Sequence, residues 1–275
     1  MARLRIPKYV VLHKKRGETP LQCIDAWRLK NPAFEDVPAS YAGRLDPMAE
    51  GSLLVLLGPE CRRQKEYTKL DKEYEIEVLL DLGTDTGDTL GLPDYAGTET
   101  EVSRGALVTA IKKMEGTHSV PYPIYSSKTV NGKPLFLYAL EKTLDTIEIP
   151  RHDETIYRIS NIEISTLSSG EVEKNIVDGL SFVPRSDEPS KALGADFRQD
   201  VIRAGWKLLL ESIDERTFVV IRMRVTCGTG TYMRTLAERI GAELETMGLV
   251  LSIKRTKIGT FKKFLGIPFW SKRYA

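Results

Sequence analysis

The sequence YAGRLDPMAEG occupies residues 41–51, and one of its two acidic residues, Asp46, lies between a glycine turn and a proline. Gly43 allows the backbone to pass close to another part of the chain, and Pro47 biases the residue before it toward an extended conformation. A carboxylate on a loop of fixed shape is a candidate nucleophile. The alternative is that Asp46 only closes a turn, the commoner use of aspartate beside glycine and proline.

Three further groups of residues accompany this loop. The run KEYEIEVLL at 72–80 alternates apolar and acidic residues as a half-buried strand does, and LGTDTGD follows at 82–88. A proline-rich stretch, PYPIYSSK, occupies 121–128, with NGKPL at 131–135. The last, CGTGTYMRTLA at 227–237, predicts a strand that turns through glycines into a helix.

In this order, the motifs resemble those of the TruB family of RNA pseudouridine synthases. The resemblance implies an α/β (α+β) fold: a mixed, largely antiparallel central sheet with flanking helices, and an RNA-gripping insertion at about residues 117–145. We expect residues 1–275 to be a single catalytic domain without the family's C-terminal RNA-binding (PUA) domain, because residues 253–259 match the end of the catalytic domain. Residues 168–215 form an extra insertion, either a helix covering a sheet edge or an added RNA or protein contact.

Local signals predict several elements. Thr19-Pro20 predicts the start of a helix, with proline at its first position. Residues 103–116 have the periodicity of a helix, and a proline-rich loop is predicted after them. Alternating apolar residues at 219–227 predict a strand, and the helix that follows is expected to end with Gly248 as its C′ residue.

Composition excludes several classes of protein. The chain has 275 residues, 41% of them apolar, but no stretch approaches the roughly 20 apolar residues that span a bilayer. The N-terminus also lacks the apolar core of a signal peptide, so we predict a cytoplasmic protein with no membrane partner. The three cysteines are widely spaced and the three histidines are scattered, so neither a disulfide framework nor a metal site is predicted.

The charges are concentrated at the two ends of the chain. Residues 1–17 contain six Lys or Arg and no acid, and residues 253–275 contain seven and no acid. The intervening residues have 27 basic and 38 acidic side chains, a net charge of −11. If the ends lie together in the fold, they form a cationic surface suited to phosphate contacts. Otherwise they are two solvated tails.

The resemblance assigns three catalytic roles. Asp46 would be the nucleophile, attacking either the ribose carbon C1′ or carbon 6 of the base, and sequence does not decide which. Arg234 would pair with Asp46, hold its rotamer and keep it ionised. Tyr74 would stack on the extruded uracil with its hydroxyl near the proton on carbon 5. The reaction needs no cofactor, metal or energy source.

Other matching positions are predicted to contact the RNA substrate. Ile253 would close the pocket beside the base, and Tyr41 stands where the family usually has a histidine used in base flipping. Lys15 also replaces a proline that is usual beside the matching lysine. The full predicted set is Lys14, Tyr41, Arg44, Tyr125, Lys128, Tyr232, Ile253, Lys254 and Arg255.

The predicted function is therefore isomerisation of uridine to pseudouridine in RNA, with U55 in the TΨC loop of tRNA as the leading substrate and a monomer as the expected form. A folded loop is favoured because extruding a base from it costs less than from a helix. One alternative is a tRNA-binding chaperone with weak or no catalysis. Another is an aspartic protease, suggested by Asp85-Thr86-Gly87, but that chemistry needs two facing carboxylates and the chain has one copy of the motif.

Overall fold

A computed structural model describes residues 5–97, 103–182 and 198–274. The strands of these residues, numbered in chain order, are β1 (Tyr9–Lys14), β2 (Ala39–Ala42), β3 (Ala49–Leu57), β4 (Asp71–Leu80), β5 (Leu82–Thr84), β6 (Pro93–Tyr95), β7 (Gly116–Pro121), β8 (Thr129–Val130), β9 (Lys133–Pro134), β10 (Arg151–Ser168), β11 (Thr217–Cys227), β12 (Gly248–Phe264) and β13 (Ile267–Arg273). The α-helices are α1 (Pro20–Lys30), α2 (Gln64–Thr68), α3 (Arg104–Lys113), α4 (Leu135–Leu140), α5 (Ser169–Ser181), α6 (Gln199–Ser212) and α7 (Met233–Glu243).

One large sheet organises the described residues. Its strand order is β1-β3-β12-β4-β11-β10-β7, with β2 added beside β3 and β13 beside β12. Every pairing is antiparallel except that of β3 with β12, which run parallel. The predicted fold class, a mixed and largely antiparallel sheet with flanking helices, is confirmed.

The start of α1 shows how local sequence sets a boundary. Thr19 caps the helix by accepting a hydrogen bond from the backbone N–H of Gln22, whose side chain accepts in return from the Thr19 N–H. This reciprocal pair satisfies two donors that a helix start leaves unpaired. Pro20 follows at the first helical position, as predicted from Thr19-Pro20.

Apolar side chains cover both faces of the sheet. On one face, α3 and α7 pack on the alternating residues of β4 and β11, among them Tyr74, Ile76, Val78, Leu80, Ile221, Met223 and Val225. This confirms the alternation predicted for β4 and β11. On the other face, α5 and α6 pack on Leu79, Phe218, Val220, Leu249 and Leu251. Full burial of one such side chain is worth about 1.5–3 kcal/mol, so each helix is held mainly by its apolar stripe.

The helices α5 and α6 belong to the predicted insertion at 168–215. They cover a face of the sheet, so the expectation of a single helix over a sheet edge is corrected in this respect. Trp206 of α6 is buried and donates its indole N–H to the Thr89 carbonyl at 3.0 Å. Residues 183–197 of this insertion lie outside the described residues.

Two boundary predictions are wrong. Residues 116–121 form β7, paired with β10, where a loop was predicted. Helix α7 ends at Glu243, and Glu245, with φ of +58°, is the residue that takes the left-handed conformation. Gly248 instead begins β12, where an added Cβ would lie 2.4 Å from the Ala237 carbonyl oxygen. Glycine is required there for close approach to α7, which local sequence does not show.

The two basic ends of the chain meet in the fold. The rings of Tyr9 and Tyr274 lie 5.0 Å apart, because β13 returns along β12 while β1 pairs with β3. Lys8, Lys272 and Arg273 are exposed around this contact and form what we call the cationic end surface. Arg3 lies outside the described residues. Among the helices described, none is long and apolar enough to cross a membrane.

Candidate active site

Asp46 lies on the loop between β2 and β3. Two buried cations donate hydrogen bonds to the backbone on either side of it. Gly43 and Gly51 take φ values of +86° and +106°, so both depend on glycine's freedom. Arg255, on β12, donates from its guanidinium to the carbonyls of Gly43, Arg44 and Ser52 at 3.1, 3.4 and 2.7 Å. These contacts fix the backbone on both sides of Asp46.

A second buried cation, Lys14, holds the other end of this loop. Its ammonium donates to the carbonyls of Pro47 and Ala49 at 3.3 and 2.6 Å and to that of Lys15 at 3.0 Å. The side chain is 0% exposed, and burial lowers the pKa of Lys14 to about 8. Two buried cations therefore hold the backbone around Asp46 through hydrogen bonds to carbonyl oxygens.

Arg234, in the first turn of α7, meets Asp46 from the opposite side. Its Nε donates to Asp46 Oδ2 at 3.0 Å, Nη1 donates to the Thr86 carbonyl at 2.7 Å, and Nη2 to the Tyr125 carbonyl at 3.2 Å. Burial lowers the pKa of Arg234, but the charges of Asp46 and Asp88 outweigh that effect and the net pKa lies above its ordinary value. Arg234 is thus a permanent buried cation that fixes one oxygen of Asp46.

Asp88 is a second carboxylate beside Arg234, and sequence reasoning did not single it out. Its Oδ2 lies 3.7 Å from Arg234 Nε, and its Oδ1 accepts from Thr86 Oγ1 at 2.8 Å and from the Leu90 N–H at 2.9 Å. Burial raises the pKa of Asp88, and the nearby charge of Asp46 raises it further. The only sign of Asp88 in the sequence was its place as the last residue of the LGTDTGD motif, which begins with β5.

The protease alternative fails on geometry. The Asp85 carboxylate accepts from the Leu92 N–H at 2.7 Å and the Tyr125 hydroxyl at 2.9 Å, and it pairs with Arg198 at 2.6 Å. Asp85 does not line the cavity that contains Asp46. Its oxygens are taken up by structural contacts, so it is not half of a carboxylate pair that shares a proton.

A cavity of about 530 Å³ opens beside Asp46. The predicted residues that line it are Arg44, Asp46, Tyr74, Tyr125, Tyr232, Arg234, Ile253 and Arg255. Burial raises the pKa of the Tyr74 hydroxyl, and Arg255 offsets part of that rise. Tyr74 is therefore a neutral aromatic wall at neutral pH, and Ile253 adds an apolar surface beside it. The cavity combines a held carboxylate with faces suited to an aromatic base.

Three residues that were predicted to contact RNA make other contacts in the structure. Lys14 is buried, and Arg255 is 1% exposed and donates to carbonyls around Asp46, so both position this loop. Tyr41, on β2, packs against the apolar cluster of Cys23, Ile24, Val37, Leu53, Val55 and Leu57, away from the cavity. Sequence shows that a cation is present but not that it is buried.

The other predicted RNA contacts differ in their surroundings. Arg44 is exposed at the cavity mouth, and Tyr232 lines the wall with its ring 6.3 Å from that of Tyr122. Lys128 lies over the Tyr122 ring at 4.7 Å, and Lys254 is exposed on β12; neither lines the cavity. Contact of these residues with RNA stays a prediction, as do the catalytic roles of Asp46, Tyr74 and Arg234.

A largely antiparallel sheet that carries an arginine-held aspartate at a cleft suited to an aromatic base defines a candidate nucleoside-modifying site. The family model for the N-terminal domain of TruB family pseudouridylate synthases matches residues 33–176, just over half of the chain. The chain belongs to the TruB family, as the motifs predicted.

Curated relatives agree with this assignment. The tRNA pseudouridine synthase B of Azoarcus sp. (strain BH72) is 30% identical over 263 residues, which cover 94% of this chain and 68% of the relative. That of Psychrobacter arcticus is 26% identical over 262 residues, 94% of this chain and 55% of the relative. The chain therefore spans little more than half the length of the Psychrobacter protein.

Among solved structures, the crystal structure of a Cbf5-Nop10-Gar1 complex contains a similar chain. The TM-score is 0.51 at 18% sequence identity, and the match covers 91% of this chain and 48% of that one. At this identity the likeness shows a shared fold. The match includes nearly all of the chain.

Proposed function

We propose that this protein isomerises uridine to pseudouridine in RNA, with Asp46 as the nucleophile. The observation that carries the proposal is the 3.0 Å pair of Asp46 and Arg234 at a cavity walled by Tyr74 and Ile253. A tRNA-binding chaperone would not need a carboxylate held in one rotamer by a buried cation. Membership of the TruB family supports the same reaction.

The reaction balances without redox chemistry. The bond between N1 of uracil and C1′ of the ribose breaks, the base turns, and a bond forms between C5 and C1′. The proton on C5 is lost, and N1 gains a proton. A single carboxylate can carry this sequence by attacking either C1′ or C6 to form a covalent intermediate. The geometry is compatible with both attacks. Arg234 binds only Oδ2 of Asp46, and the side chain, which lines the cavity, is 38% exposed.

Arg234 and Tyr74 would support this step in different ways. The guanidinium donates a charge-assisted hydrogen bond to Asp46 Oδ2 and so restricts the rotamers of the nucleophile. Tyr74 offers a ring on which an extruded base stacks, an interaction worth about 1–3 kcal/mol. Because burial raises its pKa, Tyr74 acts as a neutral hydroxyl at neutral pH and is a poor resting base for the C5 proton.

We further propose that the substrate is the uridine at position 55 in the TΨC loop of tRNA, acted on by a monomer in the cytoplasm. The named relatives are tRNA pseudouridine synthases, which supports tRNA as the partner. Extruding a base costs a few kcal/mol, which phosphate contacts can offset. Arg44 at the cavity mouth and the cationic end surface supply exposed positive charge for those contacts.

The test is release of tritium from unmodified tRNA labelled at carbon 5 of uridine, with the product mapped by mass spectrometry. The wild type is compared with Asp46→Asn and with Glu50→Gln, a matched control four residues along that does not line the cavity. We expect release by the wild type and Glu50→Gln, confined to the TΨC loop, and none by Asp46→Asn. Tight binding of tRNA without release by the wild type would favour the chaperone. Release from another uridine would change only the assigned substrate.

A further inference from the structure

The inserted segment reaches the cavity through the first residue of α6. Gln199 lines the cavity wall, although the TruB motifs contain no residue at this place. The side chain is 2% exposed, and its amide oxygen has no hydrogen-bond partner among the residues that the structure describes. An unpaired buried amide oxygen is unfavourable in the free protein, so its presence at a cavity wall is explained best by a ligand donor.

Arg198, the preceding residue, anchors the start of α6 beside the reacting groups. Its guanidinium donates to both oxygens of Asp85 at 2.6 and 3.2 Å and lies 4.5 Å above the Tyr125 ring. Tyr125 also accepts from Arg234 through its carbonyl at 3.2 Å. The insertion is therefore connected to the arginine that holds Asp46.

The backbone at this anchor is strained. Arg198 has a φ of +52°, a left-handed backbone conformation that residues other than glycine seldom adopt. Its side chain does not cap α6. Such strain persists where the surrounding structure requires it and is concentrated at functional sites. Here the strained residue presents its guanidinium to Asp85 and places Gln199 at the cavity wall.

The two carboxylates at the wall, unlike the Gln199 amide oxygen, each accept at least one hydrogen bond within the protein. Asp46 accepts from Arg234, and Asp88 accepts from Thr86 and Leu90. A uridine brings two kinds of donor into a closed site, the N3–H of its base and the hydroxyls of its ribose. An amide oxygen satisfies either kind.

We propose that Gln199 accepts a hydrogen bond from the uridine that occupies the cavity, so that the inserted segment supplies a substrate contact. This inference rests on the proposed function. It assigns the insertion a part in the active site in addition to its packing on the sheet.

The test compares Gln199→Leu with the wild type and with Val201→Ala, a control on the same helix whose side chain is 60% exposed. We expect Gln199→Leu to lower kcat/KM for tritium release about fivefold to tenfold, the worth of one neutral hydrogen bond. Its melting temperature should equal or exceed that of the wild type, because the variant removes an unpaired polar atom. Val201→Ala should match the wild type in kcat/KM.

A kcat/KM within twofold of the wild type, or a loss of activity accompanied by a lower melting temperature, would overturn the contact. No release by the wild type would overturn the proposed function and this inference with it, so the two failures are distinguishable. RNA carrying 2′-deoxyuridine at the target separates the two donors. The effects of Gln199→Leu and of the deoxy substitution on binding are measured singly and together. If the combined effect is smaller than the sum of the two, the partner of Gln199 is the 2′-hydroxyl. If the effects add, the partner is another donor, with the base N3–H as the first candidate.

Discussion

Replacing Arg234 with Gln tests the physical basis of the site most directly. The substitution removes a buried cation that lies between two carboxylates, at 3.0 Å from Asp46 and 3.7 Å from Asp88. It also leaves the carbonyls of Thr86 and Tyr125 without their donors. We expect the protein to lose both stability and activity, for reasons that can be separated.

The stability loss comes mainly from Asp88. At an effective dielectric constant of about 20, each carboxylate attracts the guanidinium by about 4–6 kcal/mol before desolvation is counted. Asp46 is 38% exposed, so water replaces much of its lost partner, whereas the buried Asp88 must either hold an uncompensated charge or take up a proton, and both cost stability. Removing one member of a buried pair typically costs about 3–5 kcal/mol, which is the loss that we expect for Arg234→Gln.

The activity loss comes mainly from Asp46, whose carboxylate becomes free to rotate. A misplaced reacting group commonly costs about 100-fold, and we expect a fall in kcat of that order. Stability is measured by urea unfolding with linear extrapolation, and kcat by tritium release at saturating RNA. Arg239→Gln is the matched control, since Arg239 also lies on α7 and pairs with a buried carboxylate, Glu154, away from the cavity. It should lose comparable stability and keep its kcat.

A second substitution separates the two effects. Adding Asp88→Asn to Arg234→Gln removes the uncompensated charge and should restore at least half of the lost unfolding free energy, with little recovery of kcat. The reasoning would be refuted if Arg234→Gln cost less than about 1 kcal/mol, a value typical of exposed ion pairs. It would also be refuted if Asp88→Asn failed to restore stability, or if Arg239→Gln lowered kcat as much as Arg234→Gln.

Two further predictions concern the Asp46 loop. Gly51→Ala should destabilise the protein by about 2–4 kcal/mol, because the added Cβ would lie 2.2 Å from the Arg255 carbonyl oxygen at a φ of +106°. Gly132→Ala is the control, because no atom of the described residues lies within 4 Å of its added Cβ, and it should cost only about 1 kcal/mol in the same urea titration. The pKa of Lys14 is lowered from 10.5 to about 8, so between those pH values the unfolded chain binds the proton that the folded chain has lost. The unfolding free energy of the wild type should therefore rise with pH relative to Lys14→Met, by up to about 3 kcal/mol, and a difference that stayed constant from pH 7 to 10.5 would contradict the burial of this charge.

Short-range patterns predicted much of the fold. The alternation of β4 and the cap of α1 depend on residues only a few positions apart, so both could be predicted from the sequence. Gly248 was misassigned as a helix end because its role depends on the Ala237 carbonyl of a packed helix, which local sequence does not show. The strand β7 was missed because its pairing with β10 is a tertiary contact.

The same distinction applies to the site: motifs indicated which residues belong to it, and only packing showed which of them are buried. Motif resemblance brought together Asp46, Arg234 and Tyr74, and the structure places all three at one cavity. Resemblance did not separate cations that face RNA from cations that hold the loop, since Lys14 and Arg255 read in the sequence as ordinary positive residues.

The sequence by itself determined the alternation of β4 and β11, the starts of α1 and α3, and a loop whose glycines and proline flank one aspartate. Tertiary structure alone decided that Asp88 lies beside Arg234, that two buried cations hold the Asp46 loop, and that Gln199 of α6 lines the cavity. The physical reason is the sequence separation over which each interaction acts. Backbone preferences and periodicity act over a few residues, whereas burial and ion pairing depend on which distant segments pack together, and those properties set the chemistry of the site.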